Sequence, residues 1–227
     1  GSAALQLNNG DANTVMGHAA MLSNKTGESN VAVGLQTMAF FDGGNFNVAI
    51  GRQAMQGSFP KTTSGDANVA VGFLTLFYNY GTENTALRSF AMQSNESGNR
   101  NTACGSSALS LNATGDDNTA VGREAMLSTD GINNNVAVGS SAGTDIRGNS
   151  NTVVGAIAGA QVTAYNSVVG FFANAFNGSY NSMLGAGTTA PNFDDCIVLG
   201  YGATSNDYNL LVLGAEAPHH LQTAATA

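Results

Sequence analysis

Five acidic residues in the second half of the sequence could support acid–base chemistry. They are Asp116, Asp117, Glu124, Asp130 and Asp145. Enzymes that cleave polysaccharides place two carboxylates across a groove, roughly 5 to 9.5 Å apart. Aspartate is also a preferred turn residue, because its side chain hydrogen-bonds to nearby backbone groups. We therefore predict that these carboxylates cap turns and keep the protein soluble, and that the protein is not an enzyme.

The three histidines offer few sites for catalysis or metal binding. His219 and His220 are adjacent, which suits a solvated tail, although three such pairs around a symmetry axis could bind a metal. His18 lies at the opposite end of the sequence, so no Ser-His-Asp set is indicated. We expect neither a catalytic site nor a cofactor or metal.

Aromatic residues indicate a possible binding surface. The sequence between Phe40 and Tyr80 is rich in them: Phe40, Phe41, Phe46, Phe59, Phe73, Phe77, Tyr78 and Tyr80. Exposed rings stack on sugars and anchor protein interfaces. Residues 57–64 also form the longest insertion in the chain, and insertions in repeats tend to lie on a binding face. We predict Phe41, Phe59, Tyr78 and Tyr80 as receptor-binding residues; the alternative is that such rings pack between coils or subunits.

Composition excludes two classes of partner. The chain has 7 Lys and Arg against 15 Asp and Glu, a formal net charge of -8, and no Lys or Arg follows Arg147. Nucleic-acid binding requires a basic surface, so we expect no nucleic-acid partner. No apolar run reaches the length of a membrane span, so we expect no membrane insertion.

A short repeat organises almost the whole chain. Its clearest copies read Asn118-Thr-Ala-Val-Gly122 and Asn135-Val-Ala-Val-Gly139. The final glycine, here called the anchor, recurs at residues 17, 34, 51, 72, 105, 122, 139, 155, 170, 185, 200 and 214, with Arg88 in the one substituted position. The number of residues between successive anchors is too small for a helical hairpin and fits one coil of a parallel β-solenoid, so we predict an all-β fold. An Asn four residues before nearly every anchor predicts a hydrogen-bonded ladder along the coils.

The residues just before each anchor predict how the solenoid assembles. Adjacent strand residues point to opposite faces, and both positions are apolar in nearly every copy, as in Ala120 and Val121. One face can fill the lumen, whereas a single solenoid supplies nothing to cover the other. We predict that the second face packs against other copies of the chain around a symmetry axis.

The repeat changes along the chain and predicts four segments. Residues 1–12 form a leader, 13–134 a wider zone with coils of about 17 residues, 135–215 a narrower zone with shorter coils, and 216–227 a tail. In the wider zone Met or Leu stands four residues after the anchor, in stretches such as Ala125-Met-Leu-Ser128, which we predict as single helical turns. Cys104 and Cys196 lie six coils apart, roughly 29 Å, so we predict two small buried cysteines without an intrachain disulfide.

These motifs resemble two known families of surface fibres. Asn-Thr-Ala-Val-Gly-x-x-Ala, followed by a Thr-Gly-Asp/Glu-x-Asn loop such as Thr114–Asn118, is similar to repeats of phage tail fibres. Asn166-Ser-Val-Val-Gly170 and Asn181-Ser-Met-Leu-Gly185 resemble the heads of YadA-like trimeric autotransporter adhesins. The resemblance implies a homotrimer of parallel, left-handed β-rolls, intertwined or side by side, on a virion surface, binding a polysaccharide or protein receptor on the host. The long coils favour the phage fibre.

Four other functions are left open by the sequence. An adhesin head would place the protein on a bacterial cell surface, and a tailspike would cleave polysaccharide. A passive spacer would leave recognition to another domain. An ice-binding solenoid is a more remote alternative, because Thr only alternates with Val and other residues three positions before the anchor, as in Thr119 and Val136.

Overall fold

A computed structural model of the chain describes residues 2–7, 9–57 and 65–214. It contains thirteen strands of three residues each: β1 Thr14–Met16, β2 Val31–Val33, β3 Val48–Ile50, β4 Val69–Val71, β5 Thr85–Leu87, β6 Thr102–Cys104, β7 Thr119–Val121, β8 Val136–Val138, β9 Thr152–Val154, β10 Ser167–Val169, β11 Ser182–Leu184, β12 Ile197–Leu199 and β13 Leu211–Leu213. Every strand ends immediately before an anchor. The repeat therefore marks each strand correctly.

All thirteen strands form one parallel sheet in sequence order. Equivalent repeat positions pair across it: Thr119 lies opposite Val136, and Val121 opposite Val138. The predicted fold class is confirmed as an all-β protein whose sheet winds into a β-solenoid of about 12 turns. The described residues contain no helix that is long and apolar enough to cross a membrane.

The core is a set of columns of small and large apolar residues stacked along the solenoid. In most coils the middle strand residue points inward and is buried, as are the residues three and four positions after the anchor, for example Ala120, Ala125 and Met126, all fully buried. Each side chain packs on its equivalents in the adjacent coils. A repeat of one residue type in each column thus produces a continuous core.

The predicted helical turns are wrong. Met126 has a φ of 51° and Glu124 a φ of 57°, both in the left-handed region, and the same two repeat positions have positive φ in the other wide coils. A helix needs consecutive negative φ values. Backbone hydrogen bonds instead run between coils: the Met126 N–H donates to Ala142 O at 2.9 Å. The turn after the anchor therefore has positive φ at Glu124 and Met126, and this conformation directs the Met126 side chain into the core.

The core changes composition where the coils become shorter. Glycine replaces Met or Leu at Gly143 and Gly159, and from Val153 onward Val or Met replaces the Ala in the middle of the strand. A Cβ added at Gly143 would lie 2.6 Å from Ile146 Cδ1. A large residue elsewhere in the coil thus occupies the volume that Met fills in the longer coils.

We expect Gly143→Ala to lower the free energy of unfolding by about 1–3 kcal/mol, because it overfills this core and forces a φ of +60° on alanine. Ile146→Val removes the contacting methyl group, so it should restore part of that loss in the double variant. Guanidinium unfolding followed by circular dichroism measures both. Additive losses in the double variant would contradict the volume exchange.

Candidate functional site

The outer face of the sheet is a continuous apolar strip without charge. We define the sheet face as the first and third residues of the thirteen strands, 26 residues, and all of them are apolar, Thr, Ser or Cys. Several are well exposed, among them Met16 at 63%, Leu184 at 56% and Leu213 at 57%. The middle residues between them are buried in β2 to β12. The predicted division into an inward and an outward apolar face is therefore confirmed.

Two columns of side chains border the sheet face. The upstream column is the residue five positions before each anchor, and the downstream column is the residue directly after it. Phe46, Tyr165 and Tyr180 of the upstream column are exposed by 68%, 53% and 58%. Phe171 and Tyr201 of the downstream column are exposed by 59% and 82%. Large rings therefore project on both sides of an apolar strip.

The predicted asparagine ladder runs inside the solenoid beside the strands. The Asn135 backbone N–H and its Nδ2 both donate to Asn118 Oδ1 at 3.1 Å. Asn118 Nδ2 in turn donates to Ile132 O at 2.7 Å and to Asn101 Oδ1 at 3.1 Å. These side chains are fully buried. The ladder therefore pairs polar backbone groups that water cannot reach.

A second ladder, missed by the sequence analysis, runs along the outer loops. It uses the residue six positions before the anchor: the Asn99 N–H donates to Asp116 Oδ1, and the Asp116 N–H donates to Asn133 Oδ1, both at 2.7 Å. The Asn133 N–H continues the ladder to Asn149 Oδ1. Recurrence of Asp or Asn at this position in the aligned repeats was the signal that could have revealed it.

The five acidic residues each accept hydrogen bonds or form ion pairs with their own chain. Asp116 belongs to the outer ladder, and Asp130 Oδ1 accepts from the Ala113 and Thr114 N–H groups at 3.0 Å. Glu124 pairs with Arg123 at 2.6 Å and Asp145 with Arg147 at 2.7 Å. These contacts are those of turn-stabilising carboxylates.

The fifth, Asp117, joins two neighbouring coils. Its two oxygens accept from Arg100 Nε at 2.7 Å and Nη2 at 2.8 Å. The hydrogen bond from Arg100 lowers the pKa of Asp117 below its usual value and raises the pKa of Arg100. Both are upstream-column residues, so this pair leaves opposite charges on one edge of the sheet face.

The four predicted receptor-binding residues do not form one surface. Phe41 is 1% exposed, so the structure corrects its assignment: its ring fills a column that holds buried Asn24 and Asn79 in other coils. Phe59 lies outside the described residues. Tyr78 is 41% exposed and meets Phe77 edge to face, with centroids 4.5 Å apart. Tyr80 is half-buried, and its backbone N–H donates to Glu96 O.

Apart from Phe46, the described aromatic side chains that are more than half exposed lie in the narrower coils. They are Tyr165, Phe171, Phe172, Tyr180, Tyr201 and Tyr208. The rings of Tyr165 and Tyr180 stack with an interplanar angle of 6° and centroids 5.0 Å apart. Because stacked rings cover each other's faces, they present edges and hydroxyl groups outward rather than a platform for a sugar. Aligning the repeats could have revealed this cluster, because aromatic residues stand at the same position in adjacent repeats, as Tyr165 and Tyr180 do.

The cysteines differ in environment. Neither forms a disulfide, and Cys196 is fully buried, as predicted. Cys104 is only half-buried and belongs to the sheet face, so its prediction as a buried residue is corrected. His18 Nδ1 lies 2.7 Å from Ser2 Oγ, whereas His219 and His220 are outside the described residues. Within the described part of the chain, no three His, Cys, Asp or Glu residues come together as a metal site.

Comparison with protein-family models and with curated proteins found no match to this chain. The function of the protein is therefore inferred from its architecture and from the surfaces described above.

Proposed function

We propose that the protein is a structural and receptor-binding fibre protein that attaches a phage or phage-like particle to its host surface and acts as a homotrimer. The observation that carries the proposal is the uncharged sheet face, which runs along all thirteen strands and is not covered by any layer of the described residues. The resemblance of the repeats to tail-fibre repeats supports the same assignment.

The physical argument for self-association rests on area and charge. Burying apolar surface stabilises by about 25 cal/mol per Å². Parallel sheets are normally covered on both faces, and an exposed apolar strip of this length promotes association. The occupant must itself be long, straight and uncharged. A second and third copy of the same face meet these conditions around a three-fold axis.

We expect Leu184→Asp to convert the trimer into monomers at micromolar concentration, because three carboxylates would be buried close to the axis without partners. Leu184 points outward, so the far-ultraviolet circular dichroism of the monomer should be retained. Sedimentation equilibrium gives the mass. Leu111→Asp is the matched control, since Leu111 is 52% exposed but lies outside the sheet face, and it should remain trimeric. A monomeric wild-type protein would refute the proposal.

Attachment is tested separately by binding. Labelled trimer is applied to a panel of bacterial cells and to a glycan array, and we expect saturable binding to some cells that excess unlabelled protein displaces. Release of new reducing ends from the bound polysaccharide would instead show a cleaving tailspike. Binding to no cell in a panel that the intact particle infects would assign the protein to a spacer role.

A further inference from the structure

We infer that neighbouring copies meet with the downstream column of one chain against the upstream column of the next, at the same coil level, and in parallel. This inference rests on the proposed trimer and specifies its interface. Three short strands that each face a three-fold axis form the sides of a triangle. The end of each strand then lies beside the start of the next, so the contact is heterologous and closes after three copies.

The charges of the two columns support pairing at the same level. The coil that ends at Gly122 carries Arg123 downstream and Asp117 upstream, and both side chains are exposed, by 63% and 39%. Same-level neighbours therefore place a guanidinium beside a carboxylate. No described coil pairs two charges of the same sign in this way.

The aromatic residues follow the same rule. Phe171 meets Tyr165 at its level, Tyr201 meets Asp195, and the guanidinium of Arg52 meets the ring of Phe46. These contacts are a ring pair, a phenol O–H donating to a carboxylate, and a cation over a ring. All three upstream partners are exposed in the single chain. Tyr165, one of the two stacked tyrosines, thus gains an aromatic partner.

A shift by one coil removes the charge complementarity. In one direction Arg123 moves opposite Arg100, which places two cations together, and Tyr201 loses Asp195. In the other direction Arg123 faces Asn134, and Arg52 faces Ala67. The apolar sheet face changes little on such a shift, because its residues are alike from coil to coil. The two bordering columns therefore set the register of the trimer.

Engineered disulfides test this arrangement. Ser140 and Asn134 are the downstream and upstream residues of one coil, and both are exposed. An extended strand separates them, so within one chain they lie well beyond the roughly 7 Å that a disulfide spans. Ser140→Cys and Asn134→Cys are introduced together with Cys104→Ser, while the buried Cys196 is left in place. Under mild oxidation we expect the main band on a non-reducing gel to shift from one chain to three.

The possible outcomes are distinct. Ser140→Cys combined with Ser150→Cys places the upstream cysteine one coil further along and should give less covalent trimer than the same-level pair. Covalent dimers alone, or more trimer from the offset pair, would overturn the inference, as would no cross-link in a protein that sediments as a trimer. A protein that sediments as a monomer would overturn the proposed trimer itself. Circular dichroism verifies that each variant is folded.

Discussion

Replacing Asn118 by alanine is expected to lower the free energy of unfolding by about 3 kcal/mol, because it leaves two buried backbone groups without partners. The Asn135 N–H loses its acceptor and Ile132 O loses its donor, whereas Asn135 Nδ2 keeps one hydrogen bond, to Asn133 O at 3.0 Å. The lost bonds lie inside the solenoid, where water cannot replace the lost side chain. Each unpaired buried group costs about 1–3 kcal/mol, reduced by whatever local relaxation the coil permits.

Asn133→Ala is the matched control for this prediction. Asn133 lies in the same coil and its Oδ1 also accepts a backbone N–H, that of Asp116 at 2.7 Å. The outer ladder is only partly buried, so water can replace the lost acceptor and we expect a loss below about 1 kcal/mol. Guanidinium unfolding, measured on the monomeric Leu184→Asp background, keeps assembly out of the comparison. Equal losses for both variants would show that burial of the inner ladder contributes nothing.

Gly122→Ala should destabilise the protein by at least about 3 kcal/mol for two reasons that act together. Gly122 has a φ of +136°, a conformation that residues with a Cβ rarely adopt. A Cβ there would also overlap the carbonyl oxygen of Gly139 in the next coil. That oxygen belongs to the backbone, so the two coils would have to separate and weaken the bonds on both sides. Thermal unfolding of the monomeric background measures the effect.

Gly131→Ala separates the two causes. Gly131 has a φ of +67°, but the nearest atom to an added Cβ is Thr114 Oγ1 at 3.5 Å, so only the backbone conformation is penalised. We expect a loss of about 1 kcal/mol. Arg88, which takes the anchor position with a φ of 87°, gives the reverse test: Arg88→Gly should stabilise the protein. A large loss in Gly131→Ala, or a loss in Arg88→Gly, would contradict the role of the close coil contact.

The position of the strands, their register and the direction of their side chains were predictable because they depend on residues that repeat. A three-residue strand has one inward and two outward positions, so the small Ala120 beside the larger Val121 was enough to assign both faces. The buried Asn ladder was predictable for the same reason: a solvated turn residue would not recur at one position.

The turns were harder to predict, because their conformation is set by contacts between coils. Nothing in the residue type indicates that Met126 has a positive φ, since methionine has no local preference for it. Phe41 was misjudged because an aromatic residue in a loop resembles a ligand-binding group, whereas its column holds the buried Asn24 and Asn79 in other coils. The two columns that border the sheet face had to be compared with each other before their complementarity became visible.

Contacts between strands in this solenoid are confined to immediate neighbours, from β1 with β2 to β12 with β13. Removing or duplicating one whole repeat in the gene would therefore bring together coils whose surfaces are already complementary. It would change the length of the solenoid in steps of about 4.8 Å. In the proposed trimer the same event would occur in every subunit, since all are translated from one message, so the three edges would change together. The length of the solenoid can thus change during evolution while its cross-section stays the same.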